Sequence, residues 1–343
     1  MKRALVLMAV LVVVVGSVAG VRAATGGSVD LPPVSPDRLA ALAAAGVASD
    51  PTFSGALHVH VDLGVPSLGD AGPFDAGPLA GLLGDQTLRV WRSPLGARIA
   101  LVESSSERDV YLGRDGLWVW DFSTLTATRL APAGVRTGLF PLSLLVGPND
   151  FHGLLDGLRP TTRVSVGPGV LVAGRPAYPL VLVPRTGATL VGRVEVDVDA
   201  ERHLPLALRV FPRGSDQAAI DVGFTSIGFG AVDPHTFDFT PPPGAHVVTG
   251  GKGANPLGLL GGLGIAAGGF LAPGARDVRT FGHGWSGVVA IRVGESGLGP
   301  LAQILPLSGP LLSARVVDAA GGAWLLAGAV PQSMLERIGR SLG

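Results

Sequence analysis

The sequence predicts a mainly β protein of the α+β class: an antiparallel sheet whose apolar face needs a cover, followed by a small C-terminal domain of strands and a helix. Three observations carry this. Between Thr161 and Pro243 apolar residues recur at every second position, most plainly in Val194-Glu195-Val196-Asp197-Val198-Asp199. A period of two puts the valines on one face of a strand and the carboxylates on the other, where water is expected to solvate them. The 343 residues include 52 glycines and 28 prolines, a load that favours strands and turns over long helices. Hydrophobic residues make up 47% and charged ones 15%, enough for a large core in one to three domains.

From the N-terminus, Met1–Ala23 has the layout of a secretory signal peptide: a basic Lys2-Arg3, the apolar run Ala4–Val15 and small residues around Ala23. The competing reading is an uncleaved membrane anchor, although the run is short for a span of about 20 residues and is broken by Gly16, Ser17 and Gly20. On either reading the chain is expected to be exported, either free in the extracytoplasmic space or tethered there. After the proline-rich leader Thr25–Pro36, Ser35-Pro36-Asp37 starts a helix with an N-cap, a first-turn proline and an acid near the positive end of the dipole. The helix is expected over Pro36–Ala45, with Gly46 stopping it.

Phe53–Leu63 is the first strand, with Leu57, Val59 and Val61 facing one way and His58, His60 and Asp62 the other. Gly64–Asp85 is too long for a hairpin turn and carries Leu68, Phe74, Leu79, Leu82 and Leu83; such loops in compact domains are functional or mobile. Strands follow at Gln86–Trp91, Ala97–Val102, Arg108–Leu112, Leu117–Phe122 and Leu125–Leu130. Leu139–Leu158 reads as two short helices split by Gly147-Pro148.

The run of strands continues with Thr162–Val166, Val170–Val172, Tyr178–Val183, Thr189–Val198, Pro205–Phe211 and Gln217–Ile227. Joined by short polar turns, they pair antiparallel. Gly250–Arg276 shifts to glycine, leucine and alanine and reads as a linker. Beyond it, Gly287–Val293, Leu311–Asp318 and Trp324–Val330 read as strands, and Pro331–Leu342 as a terminal helix. The expected division is a signal at 1–23, a sheet domain at 24–249, the linker at 250–276 and a small domain at 277–343.

Several stretches also carry a resemblance. Gly174–Pro184, Val196-Asp197-Val198-Asp199, Leu204-Pro205-Leu206, Val222-Gly223-Phe224 and Phe237–Gly244 resemble the LolA/LolB family of envelope lipoprotein carriers, with the nearest likeness to actinobacterial relatives, over Val34 to Val248. Leu117-Trp118-Val119-Trp120-Asp121 is similar to a strand of that family. The resemblance implies an unclosed antiparallel β-barrel lidded by helices, with acyl chains as cargo and an arginine latching the lid. Arg89 and Arg98 are candidates for that latch, and neither is matched residue by residue. The small domain ending in Ala329-Val330-Pro331-Gln332 and Glu336-Arg337-Ile338 resembles the layout of the RseB/MucB envelope-stress regulators. That implies an alternative role, sensing at the envelope through a membrane anti-sigma factor.

The rest of the chemistry narrows the field. There are no cysteines, hence no disulfide, thiolate nucleophile or lipid-bearing cysteine. His58 and His60 share a strand face, but no third ligand is implied, so no metal and no cofactor are expected. Gly284-Trp285-Ser286-Gly287-Val288 lacks the final glycine of a nucleophile elbow, and no constellation points to an enzyme. Without Lys2, Arg3 and Arg22 the chain keeps 23 basic against 26 acidic residues, no footprint for nucleic acid.

A sheet capped by leucine-bearing segments can shelter hydrocarbon, and each buried CH₂ contributes about 0.8 kcal/mol. The expected partners are therefore lipid or lipoprotein acyl chains; the resemblance adds a membrane protein, either a donor complex or the anti-sigma factor. The expected lining is Leu57, Val59, Val61, Leu88, Val90, Trp118, Trp120, Val194, Val196, Leu206 and Leu208, with Leu144, Leu145, Leu154 and Leu155 in the lid. For Trp118 and Trp120, ordinary core packing is the competing account.

Overall fold

The computed structural model describes residues 28–64, 85–102, 107–114, 116–130, 159–249, 277–293, 305–319 and 322–342. The signal segment, most of the Gly64–Asp85 loop, the Leu139–Leu158 segment with Leu144, Leu145, Leu154 and Leu155, and the Gly250–Arg276 linker lie outside the described residues.

The large sheet is assembled from two runs of hairpins. The first comprises Phe53–Val61 (β2), Gln86–Ser93 (β3), Gly96–Val102 (β4), Glu107–Gly113 (β5), Gly116–Asp121 (β6) and Thr126–Leu130 (β7), each antiparallel to the next. The second comprises Thr162–Val166 (β8), Gly169–Val172 (β9), Arg175–Pro184 (β10), Val191–Asp199 (β11), Pro205–Pro212 (β12) and Ile220–Phe229 (β13). β13 pairs antiparallel with β2 from Val61 to Phe53 and welds the two runs together. Ser28–Val29 (β1) adds to β9 at one end, and His246–Thr249 (β14) adds in parallel to β7 at the other. The order is β1-β9-β10-β11-β12-β13-β2-β3-β4-β5-β6-β7-β14, with β8 also on β10. The end strands do not pair with each other, so the sheet is unclosed, as expected.

Residues opposite one another in an antiparallel pair point to the same side, so the register assigns the faces. Val194, Val210, Ile220 and Val61 stand side by side across β11, β12, β13 and β2. Val90, Ile99, Val110 and Val119 do the same across β3 to β6. With Leu57, Leu88, Leu101, Val196, Leu208, Val222 and Phe224 they form one buried apolar face.

Pro36–Ala48 (α1) lies against β8 and β10 and buries Leu39, Ala40, Ala43, Ala44 and Gly46. Ser35 caps it, accepting the Arg38 amide at 3.3 Å. The helix does not stop at Gly46. A Cβ there would fall 2.4 Å from the His203 carbonyl oxygen. This glycine seats the helix on the β11–β12 turn and does not end it, which a chain read in isolation could not reveal. Beyond the helix, Arg92 pairs with Asp50 and holds the start of β2 to the end of β3.

A second sheet contains Val278–Phe281 (β15), Val288–Val293 (β16), Leu307–Ser308 (β17), Ser313–Ala319 (β18) and Gly322–Gly328 (β19), ordered β15-β16-β19-β18-β17. The helix Gln332–Arg340 (α2) packs on β18 and β19, where Val288, Ala290, Trp324, Leu326 and Leu335 form a small core of their own. The other face, with Ile291, Ala314, Leu325 and Ala327, belongs to the core of the large sheet. The seam is also polar and close. Thr189 Oγ1 and the Leu190 amide both donate to the Ala329 carbonyl at 2.8 Å, and Trp285 Nε1 donates to Thr162 Oγ1 at 2.6 Å. Gly309 lies so near Leu63 that a Cβ would overlap its carbonyl oxygen. The second sheet therefore abuts the ends of β2, β8 and β11 on one side of the large sheet.

Candidate functional site

The structure brings most of the expected lining onto one surface. Leu57, Val59, Val61, Leu88, Val90, Val194, Val196, Leu206 and Leu208 are all buried in a single cluster with Leu180, Leu182 and Val210. Leu57 stands opposite Leu88 and Phe224; Val59 opposite Val222; Val196 opposite Leu180 and Leu208. The sheet is held here by period two, and β-branched residues suit its pleated surface. Each side chain is already covered in this state, so any guest must displace part of what lies over the face.

Trp118 and Trp120 correct the expected lining. Their neighbours Leu117 and Val119 pair with Leu112 and Val110 on the apolar face, which turns both indoles to the opposite side. The parity of a strand fixes its two faces relative to each other, but does not say which one meets the core. On that second face Trp91, Arg98, Tyr111, Trp118 and Arg129 are direct cross-strand neighbours from β3 to β7. The Arg98 guanidinium lies 5.0 Å from the centre of the Trp91 ring and 4.9 Å from that of Tyr111, and Arg129 lies 5.5 Å from that of Trp118. Phe239 closes over this ladder, stacked on Tyr111 at 4.8 Å and tilted against Trp118 at 5.6 Å and Trp120 at 6.0 Å. Burial pushes the Tyr111 hydroxyl well above its ordinary range.

Arg89 and Arg98 are on this second face as well. Arg98 is engaged by Asp109 at 3.0 and 3.2 Å and by Glu107 at 3.3 Å, away from the apolar face. The buried arginine on the apolar side is Arg92, opposite Phe53 and Ala97. Nothing in the local pattern marked it, because its partners include the turn carbonyls of Ser93 and Gly96 and a carboxylate 42 residues away.

The acids of β11 are likewise not solvated. Asp197 and Asp199 are fully buried. Asp197 accepts from Arg209 at 2.6 Å, and Arg209 also reaches Glu195 at 3.4 Å. Asp199 accepts from Arg175 at 2.5 and 3.0 Å and from the amides of Glu201 and Arg202. Their environments push them apart. Burial, reinforced by Glu195 and Asp221, pushes Asp197 up to about 6 against the pull of Arg209. Burial also opposes the charge of Asp199, but Arg175 and the two amides outweigh it and hold that carboxyl below its usual range. Asp221 is raised, chiefly by burial.

His58 is buried and His60 partly so. Both rings address Asp85 Oδ1, at 3.5 and 3.0 Å, and not Asp62, which instead accepts the Gly64 amide. Among the described residues no group of three or more His, Asp or Glu side chains is arranged to hold a metal ion. No helix among them is long and apolar enough to cross a membrane.

No family model and no curated protein matches the sequence. Among solved structures, similar ones are found at low identity. The MucA/MucB complex of Pseudomonas aeruginosa is 15% identical, with a TM-score of 0.46 over 89% of this chain and 96% of that one. A crystal structure of MucB alone is 16% identical, with a TM-score of 0.42 over 88% and 96%. A LolA superfamily protein from Nitrosomonas europaea is 10% identical, with a TM-score of 0.24 over 60% and 99%.

Proposed function

We propose that this chain is an exported carrier that shelters the acyl chains of a lipid or lipoprotein against the apolar face of the large sheet. The observation that supports this reading is the continuity of that face. Every strand from β10 to β6 in sheet order contributes a buried apolar residue to it, yet the sheet does not close on itself. An unclosed sheet can part from its cover without breaking a ladder of backbone hydrogen bonds, which a closed barrel cannot.

The energetics suit exchange. An acyl chain of about 16 carbons gains on the order of 12 kcal/mol on leaving water. The face it enters is already covered by the protein's own residues, so part of that gain is returned as those contacts are lost. Immobilising the chain costs several kcal/mol more. The net affinity is moderate, as a carrier requires in order to release its load.

Titration of delipidated full-length protein with a fluorescent 16-carbon fatty acid tests this. Saturable binding is expected, displaced by unlabelled 16-carbon acid and far less by an 8-carbon acid. No binding up to about 1 mM, an affinity of only about −4 kcal/mol, would refute the carrier role.

A second reading is favoured by the shared core. Ile291 and Leu325 of the second sheet pack in the same cluster as Leu57 and Val194, so a guest on the apolar face would disturb residues 277–343. On this reading lipid occupancy is signalled to a membrane anti-sigma factor. The chain lacks cysteine, so a single Val278→Cys carrying an environment-sensitive dye reports on the second sheet alone. A response that saturates with the fatty acid supports the sensor; a silent dye beside normal binding leaves the carrier.

A further inference from the structure

We propose that the outer edge of β14, unpaired among the described residues, is a docking site at which an extended segment of a partner polypeptide adds to the large sheet as its next strand. This stands independently of the lipid reading.

Among the described residues β14 is the last strand of the sheet, and it pairs with β7 in parallel, His246 opposite Thr126 through Thr249 opposite Arg129. The His246 amide donates to the Leu125 carbonyl at 2.8 Å. In a parallel strand the N–H and C=O of one residue point the same way and alternate along the chain. His246 and Val248 therefore address β7, while the N–H and C=O of Val247 and Thr249 point outward. Neither of these finds a backbone partner among the described residues.

Natural edge strands are guarded by lysine, proline or a bulge. His246-Val247-Val248-Thr249 has no lysine or proline, and its register with β7 is uninterrupted. Its two valines are instead offered to solvent, Val247 at 58% and Val248 at 47% exposure, on opposite faces. Phe122 at 59% and Leu125 at 47% sit at the adjoining β6–β7 turn. These are four of the six large apolar side chains exposed among the described residues, and such concentration at one corner marks an interaction surface.

The pattern states what fits. Outward donors and acceptors on alternate residues, flanked by apolar side chains above and below, match an extended backbone bearing β-branched residues. A second copy of this chain fits less well. A four-residue edge and two turn side chains fall far short of the roughly 800 Å² per partner found in stable interfaces, whereas a flexible segment needs only a short footprint.

The test uses the full chain and a fluorescent peptide, Lys-Thr-Val-Val-Thr-Lys. Saturable binding is expected, with protection of the Val247 and Thr249 amides from hydrogen exchange. Val247→Pro removes an outward N–H while sparing the bonds to β7, and Val247→Lys guards the edge without touching the backbone. Each should weaken binding at least tenfold with unchanged circular dichroism. A peptide N-methylated at alternate residues should not bind. The proposal is overturned if the variants bind like the parent or if no peptide binds. It is equally overturned if sedimentation reveals a dimer that Val247→Lys dissolves, or if a peptide of residues 250–276 outcompetes the probe, since either assigns the edge to this chain itself.

Discussion

The two faces of the large sheet are both buried where β10 to β13 meet, but by different means. On one face Leu180, Val194, Val196, Leu208, Val210 and Val222 pack against one another, and burial follows from apolarity alone. On the other, Asp197 and Asp199 are as deeply buried, and each depends on one arginine, Arg209 or Arg175. The first face is tolerant of detail and sensitive to lost volume. The second is the reverse: removing a partner leaves a charge without compensation. Along β10 to β13 the first face is a continuous apolar surface, whereas the second is built on paired charges.

The sharpest way to break this contrast is to cut volume from the apolar face. Phe224 is buried and meets Phe53 edge-on at 6.1 Å. Phe224→Ala should cost about 4 kcal/mol, read as a lower denaturant midpoint at unchanged slope and insensitive to pH between 5 and 8.

On the other face, Arg209→Met should cost about 3 kcal/mol at pH 7.5 by stranding Asp197, and the loss should shrink as pH falls and Asp197 protonates. The parent already carries a milder form of this. With its folded value raised to about 6, Asp197 contributes stability that is fully present below its ordinary value and lost as pH rises through about 6. Asp197→Asn should flatten that part of the stability-against-pH curve. A curve unchanged by Asp197→Asn would show that the raised carboxyl lies elsewhere.

The smallest effect concerns the cover. Gly46→Ala gains about 1 kcal/mol of helix propensity, but its Cβ would press on the His203 carbonyl, so a net loss of about 1 kcal/mol is expected from overpacking. A gain in melting temperature would mean that α1 is not seated on the β11–β12 turn.

Much of the fold was legible because it depends on period two. The strands of β2 to β13 fall within a few residues of where alternation puts them, and Leu57, Val59, Leu88, Val90, Val194 and Leu208 meet on one face because each stands on the apolar parity of its own strand. The indoles of Trp118 and Trp120 were misplaced because both parities of β6 are apolar: Leu117 and Val119 on one side, two tryptophans on the other. Hydrophobicity cannot choose between two greasy faces. The strand His246–Thr249 was not anticipated because four residues carry no period to read, and its partner β7 lies more than a hundred residues earlier.

Local sequence by itself determined which residues are strands, which side of most strands is apolar, and that the chain has no thiol chemistry, since alternation and composition are properties of neighbours along the chain. Only the tertiary structure decided that Arg209 and Arg175 would bury the carboxylates of β11, that Gly46 would meet a carbonyl instead of ending a helix, and that a second sheet would share the core of the first. Each of these sets the distance between residues far apart in sequence, and that distance is fixed when the strands pair, not when they form.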